Sequence, residues 1–168
     1  MKSSNSVGSQ PPAELLKMDS GLQSARAMPQ ATVLIADDHP LVLELLVELL
    51  KDRFDVVGTA VNGDQLMEAT ARLRPDVVVT DISMPALNGL EALRRLKTAG
   101  SVTKIIVLTM DAHPELASHA IRSGASGFMA KHSAGSELVT AIDEVLRGRV
   151  YVSRPLNSDV LLPGVRKG

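Results

Sequence analysis

Asp37, Asp38, Asp81, Thr109 and Lys131 are the side chains in this sequence whose types and places could do chemistry together. Each stands where a short apolar run stops: the two acids after Thr32 to Ala36, Asp81 after Asp76 to Thr80, Thr109 after Lys104 to Leu108, and Lys131 after Ser126 to Ala130. If those runs are neighbouring strands, three carboxylates, one hydroxyl and one ammonium meet on one edge of a sheet. Carboxylates at close range oppose each other's ionisation, so the group needs a compensating cation. Oxygen ligands with room for water favour Mg2+, which is typically held by one or two carboxylates plus phosphate oxygens. Lys131 offers a point charge to a transferred phosphoryl group, and Thr109 a hydrogen bond to one of its oxygens.

The elements that must position these groups are legible as strands alternating with helices. A fifth apolar run, Val56 to Val61, completes the set, and Val77-Val78-Val79 and Ile105 to Leu108 lack polar alternation, as strands covered on both faces do. Helical patterns lie between them, roughly Leu41 to Arg53, Asp64 to Arg74, Leu90 to Thr98, Glu115 to Ser123 and Ser136 to Arg147. Pro40 and Pro114 suit first helical turns, and Gly100, Gly124 and Gly148 suit left-handed caps. The last helix carries Leu138, Val139, Ile142, Val145 and Leu146 as its apolar stripe. The expectation is a single α/β domain of five β-α units with a five-stranded parallel sheet. Ligands of such sheets bind beyond the carboxyl ends of the strands, where the five groups stand.

Composition narrows the function classes. Eighteen basic against nineteen acidic residues leave a net charge of −1, so no global pull toward nucleic acid or anionic membrane is present. Two Phe, one Tyr and no Trp argue against base-stacking platforms. The absence of cysteine excludes disulfides, thiolate metal sites and thiol nucleophiles, and suits a cytoplasmic location. No stretch approaches the roughly 18 to 20 apolar residues needed to span a bilayer. His39, His113, His119 and His132 lack metal-ligand spacing and read as surface or loop residues, and Asp76, after Pro75, reads as a turn residue.

From Ala31 to Ser153 the chain resembles the receiver domains of two-component response regulators. The resemblance rests on VLIADDHP, RPDVVVTDISMPALNGLEALRRL, KIIVLTM and GASGFMAKHSAGSELVTAIDEVLRG, and its wording is most similar to the NarL/FixJ (LuxR-type) group. It implies a flavodoxin-like three-layer sandwich with strand order 2-1-3-4-5. It implies that Asp81 accepts phosphate from a histidine kinase or phosphotransfer protein as an acyl phosphate. Asp37 and Asp38 would hold Mg2+ together with Asp81 and the backbone carbonyl of Ser83. Thr109 and Phe128 would form a switch pair, and phosphorylation could drive homodimer formation. Such a domain is not an enzyme, beyond phosphorylating and dephosphorylating itself. His132 stands where relatives more often carry Asp or Pro, and Phe128 where Tyr is also common.

Residues 1–30 read as a flexible polar extension, 31–153 as the receiver, and 154–168 as a tail or linker remnant too short for a DNA-binding domain. Met28, four residues before Thr32, is the expected translation start. The rival readings are a Mg-dependent aspartate-nucleophile phosphatase, a flavodoxin-like nucleotide or flavin binder, and the receiver part of a DNA-binding transcriptional regulator. The first rival wants its second acid two residues after the nucleophile, where His39 stands; the second wants a Gly-rich cradle after strand one, where Pro40 stands. In the first helix, at about 100° per residue, Glu44, Glu48, Lys51 and Asp52 form a narrow polar stripe and nearly all else is apolar. Leu41 and Leu45 should therefore stay partly exposed, as anchors for a helical phosphodonor or a second receiver.

Overall fold

Val33 to Ala36 and Val77 to Val79 are buried along their whole length, which a strand achieves only between two helical layers. The structure, a computed structural model, describes residues 29–157. The elements alternate as β1 (Thr32–Ala36), α1 (Pro40–Leu50), β2 (Asp55–Ala60), α2 (Gly63–Leu73), β3 (Val77–Asp81), α3 (Gly89–Thr98), β4 (Lys104–Thr109), α4 (Pro114–Arg122), β5 (Gly127–Ala130) and α5 (Ala134–Leu146). Successive strand residues face opposite ways. Leu34, Val78, Val107 and Phe128 therefore meet Leu66, Leu93 and Ile121 of α2, α3 and α4. Val33, Val79, Leu108 and Met129 meet Leu46, Leu50, Leu138 and Ile142 of α1 and α5. The result is the three-layer α/β arrangement expected of the flavodoxin-like class.

One expectation needs correction: the sheet has six strands, not five. After α5 the chain turns back as β6 (Tyr151–Val152), and all neighbours are parallel in the order β2-β1-β3-β4-β5-β6. Two residues are too few to show periodicity, so β6 is invisible to pattern reading; it exists because Tyr151 and Val152 pair with Gly127 and Phe128. The Ser153 hydroxyl donates to Glu137 at 2.8 Å just beyond it. A helical turn, α6 (Arg154–Asn157), follows, with Leu156 buried. Residues 1–28 and 158–168, and with them the expected start at Met28, lie outside the described residues.

The helix ends follow local chemistry. Asn62 and Asn88 accept from the backbone N–H groups of Gln65 and Glu91 as N-caps. Gly100, Gly124 and Gly148 take positive φ after α3, α4 and α5, as expected. Asp76 is more than a turn residue, since its carboxylate accepts from both the N–H and the hydroxyl of Thr32 and so ties β3 to β1.

Gly89 positions the site directly. Its N–H donates to the Ile82 carbonyl at 2.9 Å, which brings the start of α3 against the end of β3. A Cβ there would stand 2.3 Å from the backbone oxygen of Asp81. Gly89→Ala must therefore push α3 away from Asp81, and a loss of about 1 to 3 kcal/mol is expected, the usual range for overpacking. Urea unfolding measures it.

Candidate functional site

The parallel topology delivers the five groups to the carboxyl ends of β1, β3, β4 and β5, at or one to two residues beyond each strand. Asp37 and Asp81 are buried, 1% and 4% exposed, and Asp38 is 29% exposed. The Lys131 ammonium, on the turn leaving β5, lies 2.6 Å from Asp37 Oδ2 and 3.0 Å from Asp81 Oδ2. A single cation is thus shared by two buried carboxylates. The Ser83 N–H donates to Asp81 Oδ1 at 3.2 Å and holds that oxygen in place. Thr109 is buried, and its hydroxyl accepts from the Asp111 N–H at 3.2 Å. Phe128 is fully buried, paired between Val107 and Val152 in the middle of one core layer.

The electrostatics follow from that sharing. Burial pushes the Asp81 carboxyl above its ordinary value, and the contacts with Lys131 and Ser83 only partly offset it. Burial alone would lower Lys131, but its contacts with Asp37 and Asp81 outweigh this and leave its ammonium raised. The two directions are compatible because one ammonium serves two acids: the lysine is over-supplied with negative charge, and Asp81 remains under-compensated.

The donor set fits a hard divalent cation. Oxygens of Asp37, Asp38 and Asp81 lie within 4.8 Å of one another, together with a nitrogen of His39. Asp38 Oδ1 is buried without a hydrogen bond, whereas Asp37 Oδ2 has the Lys131 ammonium at 2.6 Å. Oxygens with lone pairs to spare and an excess of negative charge are what such an ion would satisfy.

His39, expected as a surface or loop residue, is exposed but stands beside the acids. It is the N-cap of α1, 67% exposed, and its Nδ1 lies 3.1 Å from Asp37 Oδ1 and 3.0 Å from Asp38 Oδ1. Its signal lies in adjacency to Asp37 and Asp38, not in the usual ligand spacing. Leu41 and Leu45 lie nearby on α1, 73% and 70% exposed, while Leu43, Leu46 and Leu50 are buried. A cleft of about 680 Å3 lies at the opposite end of the sheet among Arg74, Asp76, Thr103 and Lys104, and none of the clustered acids line it.

Comparison with known proteins bears on this geometry. The response regulator receiver domain matches residues 33–143. The response regulator GacA of Pseudomonas aeruginosa is 34% identical over 132 residues, covering 77% of this chain and 62% of that protein. The nitrate/nitrite response regulator protein NarL of Escherichia coli strain K12 is 33% identical over 129 residues, covering 75% and 59%. A two-component response regulator of the LuxR family from Aurantimonas superposes with a TM-score of 0.74 at 31% identity, over 78% of this chain and 95% of that one. The chain thus spans less than two thirds of the length of either curated relative. A match over most of the described strands and helices, with NarL- and LuxR-type relatives, makes this chain a member of the response regulator receiver domain family.

Proposed function

We propose that this chain takes a phosphoryl group onto Asp81 and passes the event to its surface. The observation that carries this is the Lys131 ammonium bridging Asp37 and the under-compensated Asp81 at 2.6 and 3.0 Å. An oxygen of Asp81 attacks the phosphorus of a phosphohistidine on a histidine kinase or phosphotransfer protein; the P–N bond breaks and an acyl phosphate forms. Lys131 turns from neutralising a carboxylate to neutralising a phosphoryl oxygen, and Thr109 donates its hydroxyl to another. Phe128, two residues back along β5 from Ala130, the partner of Thr109, repacks and alters the surface of α4, β5 and β6. Asp37, Asp38, Asp81 and the Ser83 carbonyl would hold Mg2+, which would supply positive charge to the transferring oxygens.

In this reading the domain accepts and loses its own phosphoryl group without turning over an external substrate, and it works in the cytoplasm. Residues 31–153 form the receiver, flanked by an N-terminal extension and a C-terminal tail. The lengths of the curated relatives support a place as the receiver part of a longer regulator. Incubation with acetyl phosphate and Mg2+ separates the proposal from its enzymatic rival. A receiver gains one acid-labile phosphoryl group per chain; a phosphatase releases many phosphates.

Two expected results attach to this reading. Mg2+ alone should raise the melting temperature by linkage, and Asp38→Ala should blunt that rise; an unchanged Mg2+ titration in the variant removes Asp38 from the site. Leu41 and Leu45 are proposed as the anchors for a helical phosphodonor or a second receiver, because both are exposed and border the site's edge of α1. Leu45→Glu should then slow transfer from a protein donor by about tenfold, the equivalent of one lost anchor worth 1.4 kcal/mol, and leave acetyl phosphate uptake unchanged. Equal loss with both donors would mean that the fold was damaged.

A further inference from the structure

We propose that His39 is a ligand of the same cation site, and that it gives this chain a second, nitrogen-containing coordination for divalent transition ions beside the all-oxygen coordination of Mg2+. The inference rests on the reading of Asp37, Asp38 and Asp81 as a cation site. It starts from one atom: His39 Nδ1 is 3.1 Å from Asp37 Oδ1 and 3.0 Å from Asp38 Oδ1. A ring nitrogen has either one proton or one lone pair, so it can be aimed at only one of these oxygens at a time. Without a cation the ring nitrogen pairs with Asp37 Oδ1, whereas a cation held among these atoms would draw on all three. The ring nitrogen and the oxygens of Asp37, Asp38 and Asp81 lie within 4.8 Å of one another, close enough to serve one ion. Asp38 Oδ1, buried and without a hydrogen-bond donor, faces the same group of ligand atoms.

The chemistry of the ligands then sorts the ions. Mg2+ is hard, keeps several waters and gains little from an imidazole. Ions such as Ni2+ accept imidazole readily and bind mixed nitrogen and oxygen sites more tightly. His39 makes no side-chain cap bond to the helix it precedes, so nothing in α1 depends on its ring. The ring is 67% exposed and a ligated ion can be reached from solvent.

Calorimetric titration of the full chain with Mg2+ and with Ni2+, in the wild type, His39→Ala and Asp38→Ala, tests this. The expected result is that His39→Ala weakens Ni2+ binding by about tenfold or more and leaves Mg2+ binding unchanged, while Asp38→Ala weakens both. Unaltered Ni2+ affinity in His39→Ala, with Mg2+ binding intact, overturns the ligand role of His39 and spares the acidic site. If Asp38→Ala changes the binding of neither ion, the acidic site itself is misplaced and the His39 proposal falls with it. Unchanged Mg2+ binding in His39→Ala also reports that the variant is folded.

Discussion

Lys131→Met is expected to destabilise the cation-free protein by about 3 kcal/mol at neutral pH, the range for removing one partner of a buried ion pair. The reason is the sharing of one ammonium. With Lys131 gone, Asp37 and Asp81, 1% and 4% exposed, face each other without a positive charge. The sign of the pH dependence follows. Lys131 is raised above its ordinary 10.5 in the folded chain, so its contribution is fully present below that value and is lost only as the pH climbs past it. The Asp81 carboxyl behaves differently: burial already raises it, and without Lys131 it binds its proton more tightly still when folded, so the variant regains stability as the pH falls through the carboxylate range. Urea unfolding at neutral and mildly acidic pH should show the gap to wild type narrowing in acid. A gap that stays constant would mean that Lys131 acts by packing alone. Phosphoryl uptake from acetyl phosphate should also slow by about a hundredfold, as when one charge-stabilising donor is removed.

Asp81→Asn is expected to abolish phosphoryl uptake altogether. The amide keeps the shape of the carboxylate and its place beside Ser83, but it offers phosphorus no nucleophilic oxygen. The fold should not suffer. Burial raises the Asp81 carboxyl, so its ionised form is a net cost to the cation-free protein above its folded pKa, and a neutral isostere removes that cost. A melting temperature equal to or above that of wild type is therefore expected without Mg2+, with a smaller rise on adding Mg2+. Thermal melts and intact mass after acetyl phosphate treatment read both effects. A variant that still gains a phosphoryl group moves the acceptor elsewhere.

The groups most legible in the sequence were those that end a strand. Asp37, Asp38, Asp81, Thr109 and Lys131 each follow an apolar run, and parallel topology converts that linear fact into a shared edge. The layers were legible for the same reason, since Val77 to Val79 and Ile105 to Leu108 are apolar on both faces and are buried on both. What escaped depends on contacts at close range. His39 is the exposed loop residue expected, but its approach to Asp37 and Asp38 is set by the turn from β1 into α1 and is not visible as ligand spacing. β6 shows no period over its two residues, and its existence depends on the open edge of β5. The need for glycine at position 89 appears only when the Asp81 carbonyl stands where a Cβ would go. Helix starts moved for a similar local reason: α5 begins at Ala134 because a tight turn over Lys131–Ser133 leads into it.

The most direct test of Asp81 as the phosphoacceptor is chemical trapping after acetyl phosphate and Mg2+ treatment of the wild-type chain. Borohydride reduces an aspartyl phosphate to homoserine with loss of phosphate, and peptide mass spectrometry then places the change. Homoserine at position 81 is the expected result, in one peptide and in proportion to the phosphoryl group gained. Reduction at Asp37, Asp38 or any other carboxylate, with position 81 still Asp, would contradict it.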